Sequence, residues 1–463
     1  MTRRDLGQVN HIDVLPDEIL LEIFDFYMET YALYTIQRRT KAWQLLVHVC
    51  RRWRVLVLGS PRRLNLQLYI KPGTPARYTL DVWPALPLIV EGKIGSSSDT
   101  DNVITVLGQS NRVCQVNLSG FVGWKLEKIL VVMQVPFPEL TDLQFRSNSK
   151  TLPVIPDSFL GGSAPRLQYF ELNGIPFPGL PKLLLSATHI VSLWLLNIPH
   201  SGYFSPEATV ALLSVLSRLE WLTLDFQSPQ SRPDWETRRP PPSERSIIPA
   251  LISLRFKGAT EYLEDLVAHI DTPQLDDMRI TFFNQIDFDI PRLAQFINRT
   301  PRLMNHDAHV QFDDYRARVV LRPEFRTLEI GISCKEPDWQ LSSIEQVCNS
   351  SFNSISTVEA LYIERQYVDL VWKDDAIENT LWLQLLLPFT AVENLYLSEE
   401  FAPGIAAALQ ELVGDRITEV LPNLQNIFVE PSGPFQVNIG PFVTARQLSD
   451  HPIVISVWDK TPT

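Results

Sequence analysis

The chain has 463 residues, 45% of them hydrophobic, with a net charge of −12 and a pI near 5.2. That length and apolar content can fill a large core, and the acidic balance argues against a general nucleic-acid or anionic-membrane binder. Four scattered cysteines (Cys50, Cys114, Cys334 and Cys348) make neither a disulfide framework nor a CxxC zinc pattern; with no signal-peptide stretch and no segment as long as a membrane span, the expectation is a reduced compartment, cytoplasmic or nuclear.

Residues 10–63 form a basic head on an acidic body: residues 1–63 carry +3 and the remainder −15. The head opens on VLPDEILLEIFDFY, residues 14–27. Pro16 fixes φ where a helix can begin, and Asp17 and Glu18 suit the positive end of its dipole. On a helical wheel the apolar side chains from Ile19 to Met28 sweep roughly 220°, whereas one core needs a stripe of only about 100°. The surplus has to be buried by a second surface. A second helical stretch, KAWQLLVHVCRRWRVLVLG, places Trp43, Leu46, Val47, Cys50, Trp53 and Val57 on one apolar face, with Gly59 and Pro61 suited to ending it. So small a unit has a marginal core of its own and reads as a docking module.

Leu15-Pro16-x-Glu18-Ile19-Leu20 followed by Val49-Cys50-Arg51-Arg52-Trp53-Arg54 resembles an F-box, the helical motif that joins substrate receptors to the adapter subunit of cullin–RING ubiquitin ligases. The resemblance implies an adapter-binding surface of Leu15, Pro16, Ile19 and Leu20, completed by Val49, Cys50 and Trp53. The connector, residues 28–42, is longer than in most F-boxes.

LNLQLYI (64–70) and ALPLIVEG (85–92) read as strands in a bridging and capping segment, residues 64–110. GSSSDTD (95–101) reads as a solvated turn. From residue 111 to 463 one template recurs: Pro or polar, any residue, apolar, two of any kind, apolar, any, apolar. Copies begin at Asn111, Pro138, Pro165, Thr188, Ser217, Pro249, Pro273, Pro323, Ser356, Thr390 and Pro422, and PRLMNHDA at Pro301 is a degenerate one. The last two apolar positions alternate as a strand on a core requires, and the earlier one tucks the incoming turn beneath it. Helical stretches lie between several copies, among them SPEATVALLSVLSRL with Ser205 as N-cap and Pro206 at the first helical position.

Helix, turn and strand repeated predict an α/β solenoid with a parallel sheet, whose twelve strands would span about 55 Å at about 4.8 Å per step. These units resemble the leucine-rich repeats that often follow an F-box, and the layout resembles fungal F-box proteins. The Asn of a leucine-rich unit appears as Asn173 but not in most copies, which predicts irregular curvature. PFVTARQLSDHPIVISVW is expected to close the array as a last helix and strand. SPQSRPDWETRRPPPSERS (228–246), with Trp235 at its middle, is a loop insertion.

Neither a GxSxG elbow, an HExxH pair nor a GxxxxGK[ST] loop occurs. HDAH (306–309) is the nearest approach to a metal or acid–base cluster. No third ligand is placed beside it, so His306 is expected to be partly buried and hydrogen-bonded. The expectation is a non-catalytic chain without metal or cofactor, whose partners are the ligase adapter and an unknown target protein.

Overall fold

The computed structural model describes residues 11–32, 36–149, 151–229, 245–284, 288–303, 306–321, 327–350, 355–366, 378–430 and 435–458. It divides into two compact units, residues 1–169 and 170–463. The boundary falls inside a strand rather than at residue 63 or 110. Trp235 and most of the 228–246 insertion lie outside the described residues.

In the first unit, helices α1 (Asp17–Ala32), α2 (Ile36–Val47) and α3 (Arg51–Gly59) make the head. Strands and helices then alternate as β1 (Leu68–Ile70), α4 (Ala76–Val82), β2 (Leu88–Lys93), α5 (Ser97–Leu107), β3 (Val113–Ser119), α6 (Gly123–Val132) and β4 (Asp142–Arg146). The strands pair in parallel in the order β1-β2-β3-β4. Two expectations change here. The second head helix is two, because Cys50 adopts an extended backbone and its Sγ accepts the Trp53 N–H, capping a new helix. The long connector is mostly helix, since α1 runs to Ala32 and α2 starts at Ile36.

The GSSSDTD stretch also differs from the expected turn: it opens α5. Ser96 and Asp99 form a reciprocal capping box, each side chain accepting the other's backbone N–H. Those hydrogen bonds hold the Asp99 carboxyl below the usual carboxylate range.

The second unit continues with β5 (Tyr169–Asn173), α7 (Leu180–Leu184), β6 (Ser192–Ile198), α8 (Pro206–Leu213), β7 (Trp221–Phe226), β8 (Ser246–Ile247), β9 (Ser253–Gly258), α9 (Thr260–Ala268), β10 (Ile270–Asp271), β11 (Asp277–Phe283) and α10 (Pro291–Asn298). After these come β12 (Asp307–Asp313), β13 (Arg316–Leu321), β14 (Thr327–Ser333), α11 (Pro337–Asn349), β15 (Ala360–Arg365), α12 (Asn379–Leu386), β16 (Asn394–Leu397), α13 (Ala402–Gln410), β17 (Asn426–Val429), α14 (Phe435–Leu448) and β18 (Val454–Val457). β8 and β10 pair with each other. The fold class is therefore the expected one, a helical head followed by a leucine-rich-repeat-like α/β array. Ser205 caps α8 as read from the sequence, accepting the Ala208 N–H, and α14 with β18 closes the array.

Every template copy lands on a strand. In most the strand begins four residues after the first template position, as at Pro138 and Asp142, Ser217 and Trp221, or Pro422 and Asn426. The three apolar positions are buried where described: Leu219, Leu222 and Leu224 in one copy, Val392, Leu395 and Leu397 in another. Helix side chains close this core from the other side. Tyr262 of α9 packs against Phe226 and Phe256 of β7 and β9, and its hydroxyl meets that of Thr209 on α8 at 2.7 Å.

The degenerate copy breaks the pattern. β12 is not the neighbour of β11; the order is β11-β14-β13-β12-β15, with β13 antiparallel to both of its neighbours and the remaining contacts parallel. The chain skips two positions along the sheet, returns through a meander and joins β11 last. The hairpin turn is held by the Asp313 carboxylate, which accepts the N–H groups of Tyr315 and Arg316.

Neighbouring repeats are also clamped by side chains. Arg112 donates to the Leu86 carbonyl, Lys125 to Gly95, Arg299 to Val267 and Ile270, and Arg446 to Val420 and Leu421. Glu264 does the reverse. Buried on α9, it accepts the Arg292 and Leu293 N–H groups at 3.0 and 2.7 Å, capping α10 where Ile290 supplies no side-chain cap. Glu264→Ala should cost about 1–3 kcal/mol in urea unfolding, and Glu264→Gln, which keeps an acceptor, distinctly less. Equal losses would mean that the cap is not the source.

Candidate docking surfaces

Helix α1 carries two apolar stripes. Leu20, Leu21, Phe24 and Met28 are buried within the first unit. Ile19, Ile23 and Phe26, at i, i+4 and i+7, stay at the surface, the first two 46% exposed and Phe26 73%. Elsewhere in the head Ile12, Val14, Val49 and Val55 are exposed as well. Scattered exposed apolar residues are ordinary; three in one helical stripe, in so short a segment, are not.

The head's charged residues fix this geometry. Arg52 of α3 donates to the Asp17 carboxylate at 2.6 Å and to the Leu15 carbonyl at 2.5 Å, tying α3 to the start of α1. Arg63 pairs with Glu22, and Arg54 caps α2 by donating to the Val47 carbonyl. Trp53 lies against Phe24, ring centroids 4.7 Å apart. Trp43 donates its indole N–H to the Gln67 carbonyl and meets Trp83 edge-on at 5.0 Å, so the head packs onto the first strand segment of its unit.

Of the residues marked from sequence, Pro16, Ile19 and Val49 are exposed and Leu15 is half-buried. Leu20, at 1% exposure, belongs to the interior stripe. Cys50 is the α3 cap, and Trp53 is half-buried against Phe24. Ile23 and Phe26 were inside the apolar arc of the wheel but outside the marked set, because the motif names only the start of the helix.

The second unit presents another surface on the sheet face away from the helices. His309, Tyr362, Tyr396 and Phe428 stand in register on β12, β15, β16 and β17. Their rings stack at 4.4, 4.2 and 4.5 Å with planes within 10° of parallel. Trp458 packs across Tyr362 and Tyr396 at 5.9 and 5.6 Å. The signal was legible: ALYI, NLYL and NIFV place an aromatic at the outward position of three successive copies. His309 sits 3.1 Å from the Glu364 carboxylate. His306, contrary to expectation, is exposed and 3.6 Å from Glu359, because the strand of the degenerate copy starts only at Asp307 and leaves the histidine outside the core. Among the described residues no three His, Cys, Asp or Glu side chains converge as a metal set, and no helix is long and apolar enough to cross a membrane.

In the first unit a depression of about 410 Å³ lies at the starts of the strands, lined among others by Arg112, Cys114, Gln115, Glu139, Thr141 and Arg166. Arg166 pairs with Glu139. Cys114 donates to the Leu88 carbonyl, and burial pushes its thiol up to about 11, so at neutral pH it is a thiol rather than a thiolate.

No family model matches the chain, and no curated protein matches it. Among solved structures it is similar to a chain of the yeast Rad7–Elc1 complex (14% identity, 90% of this chain and 88% of that one covered, TM-score 0.29). It is also similar to the leucine-rich-repeat-containing protein LegL7 of Legionella pneumophila (14% identity, 84% and 99% covered, TM-score 0.27). Likenesses of this size carry no argument about partners.

Burial, reinforced by the neighbouring Tyr396 hydroxyl and the Asp307 carboxylate, pushes the Tyr362 phenol up to about 12; burial and Glu91 do the same for Tyr69 on β1. A phenol raised from an ordinary value near 10 stabilises the fold fully below pH 10, and that contribution is lost as pH rises through 12. Tyr362→Phe should remove a late-ionising phenol from a tyrosinate absorbance titration and flatten the loss of stability between pH 10 and 12. An unchanged titration would mean that Tyr362 is not held in the stack.

Proposed function

We propose that this chain is the target-binding subunit of an F-box-type cullin–RING ubiquitin ligase, with the head docking the adapter and the repeats holding a target protein. The observation that carries this reading is the second apolar stripe of α1, Ile19, Ile23 and Phe26, left at the surface of a head that buries Leu20, Leu21, Phe24 and Met28. The motif residues divide accordingly: Pro16, Ile19 and Val49 offer surface, while Leu20, Cys50 and Trp53 hold α1 and α3 in place. Burying such a stripe is worth about 1.5–3 kcal/mol per large side chain, enough for a stable contact. The chain supplies no chemistry in this reading. It supplies proximity, raising the effective concentration of the target's lysines near the ubiquitin donor. The reading places the protein in the cytoplasm or nucleus, where such ligases work.

A second reading rests on Trp43. Through Gln67 and Trp83 it binds α2 to the strand segment that follows, as a terminal cap of an interaction scaffold would. Co-expression with the ligase adapter separates the two. The full chain should co-elute with the adapter in size-exclusion chromatography, and Ile23→Glu with Phe26→Glu should abolish the complex without lowering the melting temperature, both side chains being exposed. A folded wild-type chain that elutes alone would sink the docking reading and leave the cap.

A further inference from the structure

We infer that the aromatic row of the second unit is a docking surface for an extended, Arg- and Lys-rich segment of a partner protein; this rests on the reading that the repeats hold a target. The row is built before any partner arrives. His309, Tyr362, Tyr396 and Phe428 are stacked at the spacing of the strands beneath them and braced by Trp458, so the rings lose little freedom on binding. Parallel stacking covers the ring faces, which leaves little flat apolar surface for an apolar helix.

Charge selects the segment. Residues 355–458 hold fourteen Asp and Glu against four Lys and Arg. The described arginines leave that excess in place: Arg365 pairs with Glu400, Arg416 with Glu419, and Arg446 is buried among backbone carbonyls. Along the edge where the strands start, Asp307, Glu359 and Glu393 are exposed. Glu359 and Glu393 follow one another at the spacing of β15 and β16, since the Glu393 N–H donates to the Glu359 carbonyl. At the β12 end Gln311, 7% exposed, gives its amide N–H to Glu364 and keeps a carbonyl oxygen with no hydrogen-bond partner. Arg318 opposite it is paired with Glu329 at 3.0 Å, so no net positive charge faces the row there. Carboxylates along one edge and an acceptor at one end call for N–H donors, and they repel phosphate and other anions.

The probe is a short fluorescein-labelled peptide alternating arginine and serine, with a glutamate–serine peptide as control, titrated with the full chain and read by fluorescence anisotropy. The arginine peptide should bind and the glutamate peptide should not. Glu359→Lys with Glu393→Lys should weaken binding about tenfold or more, roughly 1.4 kcal/mol. Glu378→Lys with Glu411→Lys, the same charge change at the helices α12 and α13, should weaken it less than about twofold. Equal weakening by both pairs would reduce the effect to bulk charge and overturn the inference, as would binding of both peptides or of neither. Tyr396→Leu, checked by its melting curve, should also weaken binding; if it unfolds, the charge pairs decide. Adapter co-elution, run on the same variants, should persist because α1 is untouched. Retained adapter with no localised peptide binding overturns this inference alone, whereas localised peptide binding without adapter sinks only the ligase reading.

Discussion

One carbonyl per repeat organises each unit. At the start of a strand, two consecutive amides turn to the same oxygen of the preceding repeat: Gln168 and Tyr169 to Thr141, Ile252 and Ser253 to Glu220, Asp276 and Asp277 to Ile252, Gln425 and Asn426 to Glu393. A buried amide without such an acceptor is costly, so the start of a strand is the least negotiable point of a repeat. What lies between starts is free to change. Helices of five to fourteen residues join the strands of the second unit, and the arginines that reach back to the previous turn, such as Arg112, Arg299 and Arg446, fill carbonyls that this variation leaves bare.

The same constraint explains what could be read in advance. A template that tucks one apolar residue before the shared carbonyl and two after it marks the start of nearly every strand, and so the fold was legible. The meander was not, because attention to the template hid a plainer pattern. HDAHVQF and RARVVL lie on either side of Asp-Asp-Tyr, which is hairpin chemistry. The break before α3 was missed for a different reason: the apolar period runs straight through Cys50, and only a backbone cap made by a thiol interrupts it.

At the candidate surfaces, sequence indicated that α1 has too much apolar arc, but not which part the protein itself covers. That division depends on α2 and α3 closing over Leu20 and Phe24, a long-range outcome that no local period encodes. The aromatic row was half legible. Tyr362, Tyr396 and Phe428 share a template position, whereas His309 joins them only because β12, not β14, lies beside β15. The irregular step therefore extends the row by one ring and brings Glu364 and Gln311 to its end.

The meander also changes how the array can be assembled in time. A regular solenoid can lay each new strand on the last as it is made. Here β11 must wait, because the strand that covers its edge is β14, and β12 and β13 emerge first with no neighbour but each other. Until Ser333 has been synthesised, the edge from Asp277 to Phe283 stays open, with Met278, Ile280 and Phe282 beneath it. An open strand edge is a template for another chain. The stretch from β11 to β14 is thus one cooperative block, the interval in biosynthesis when this protein most needs a chaperone, and chains cut short within it are the ones that should aggregate.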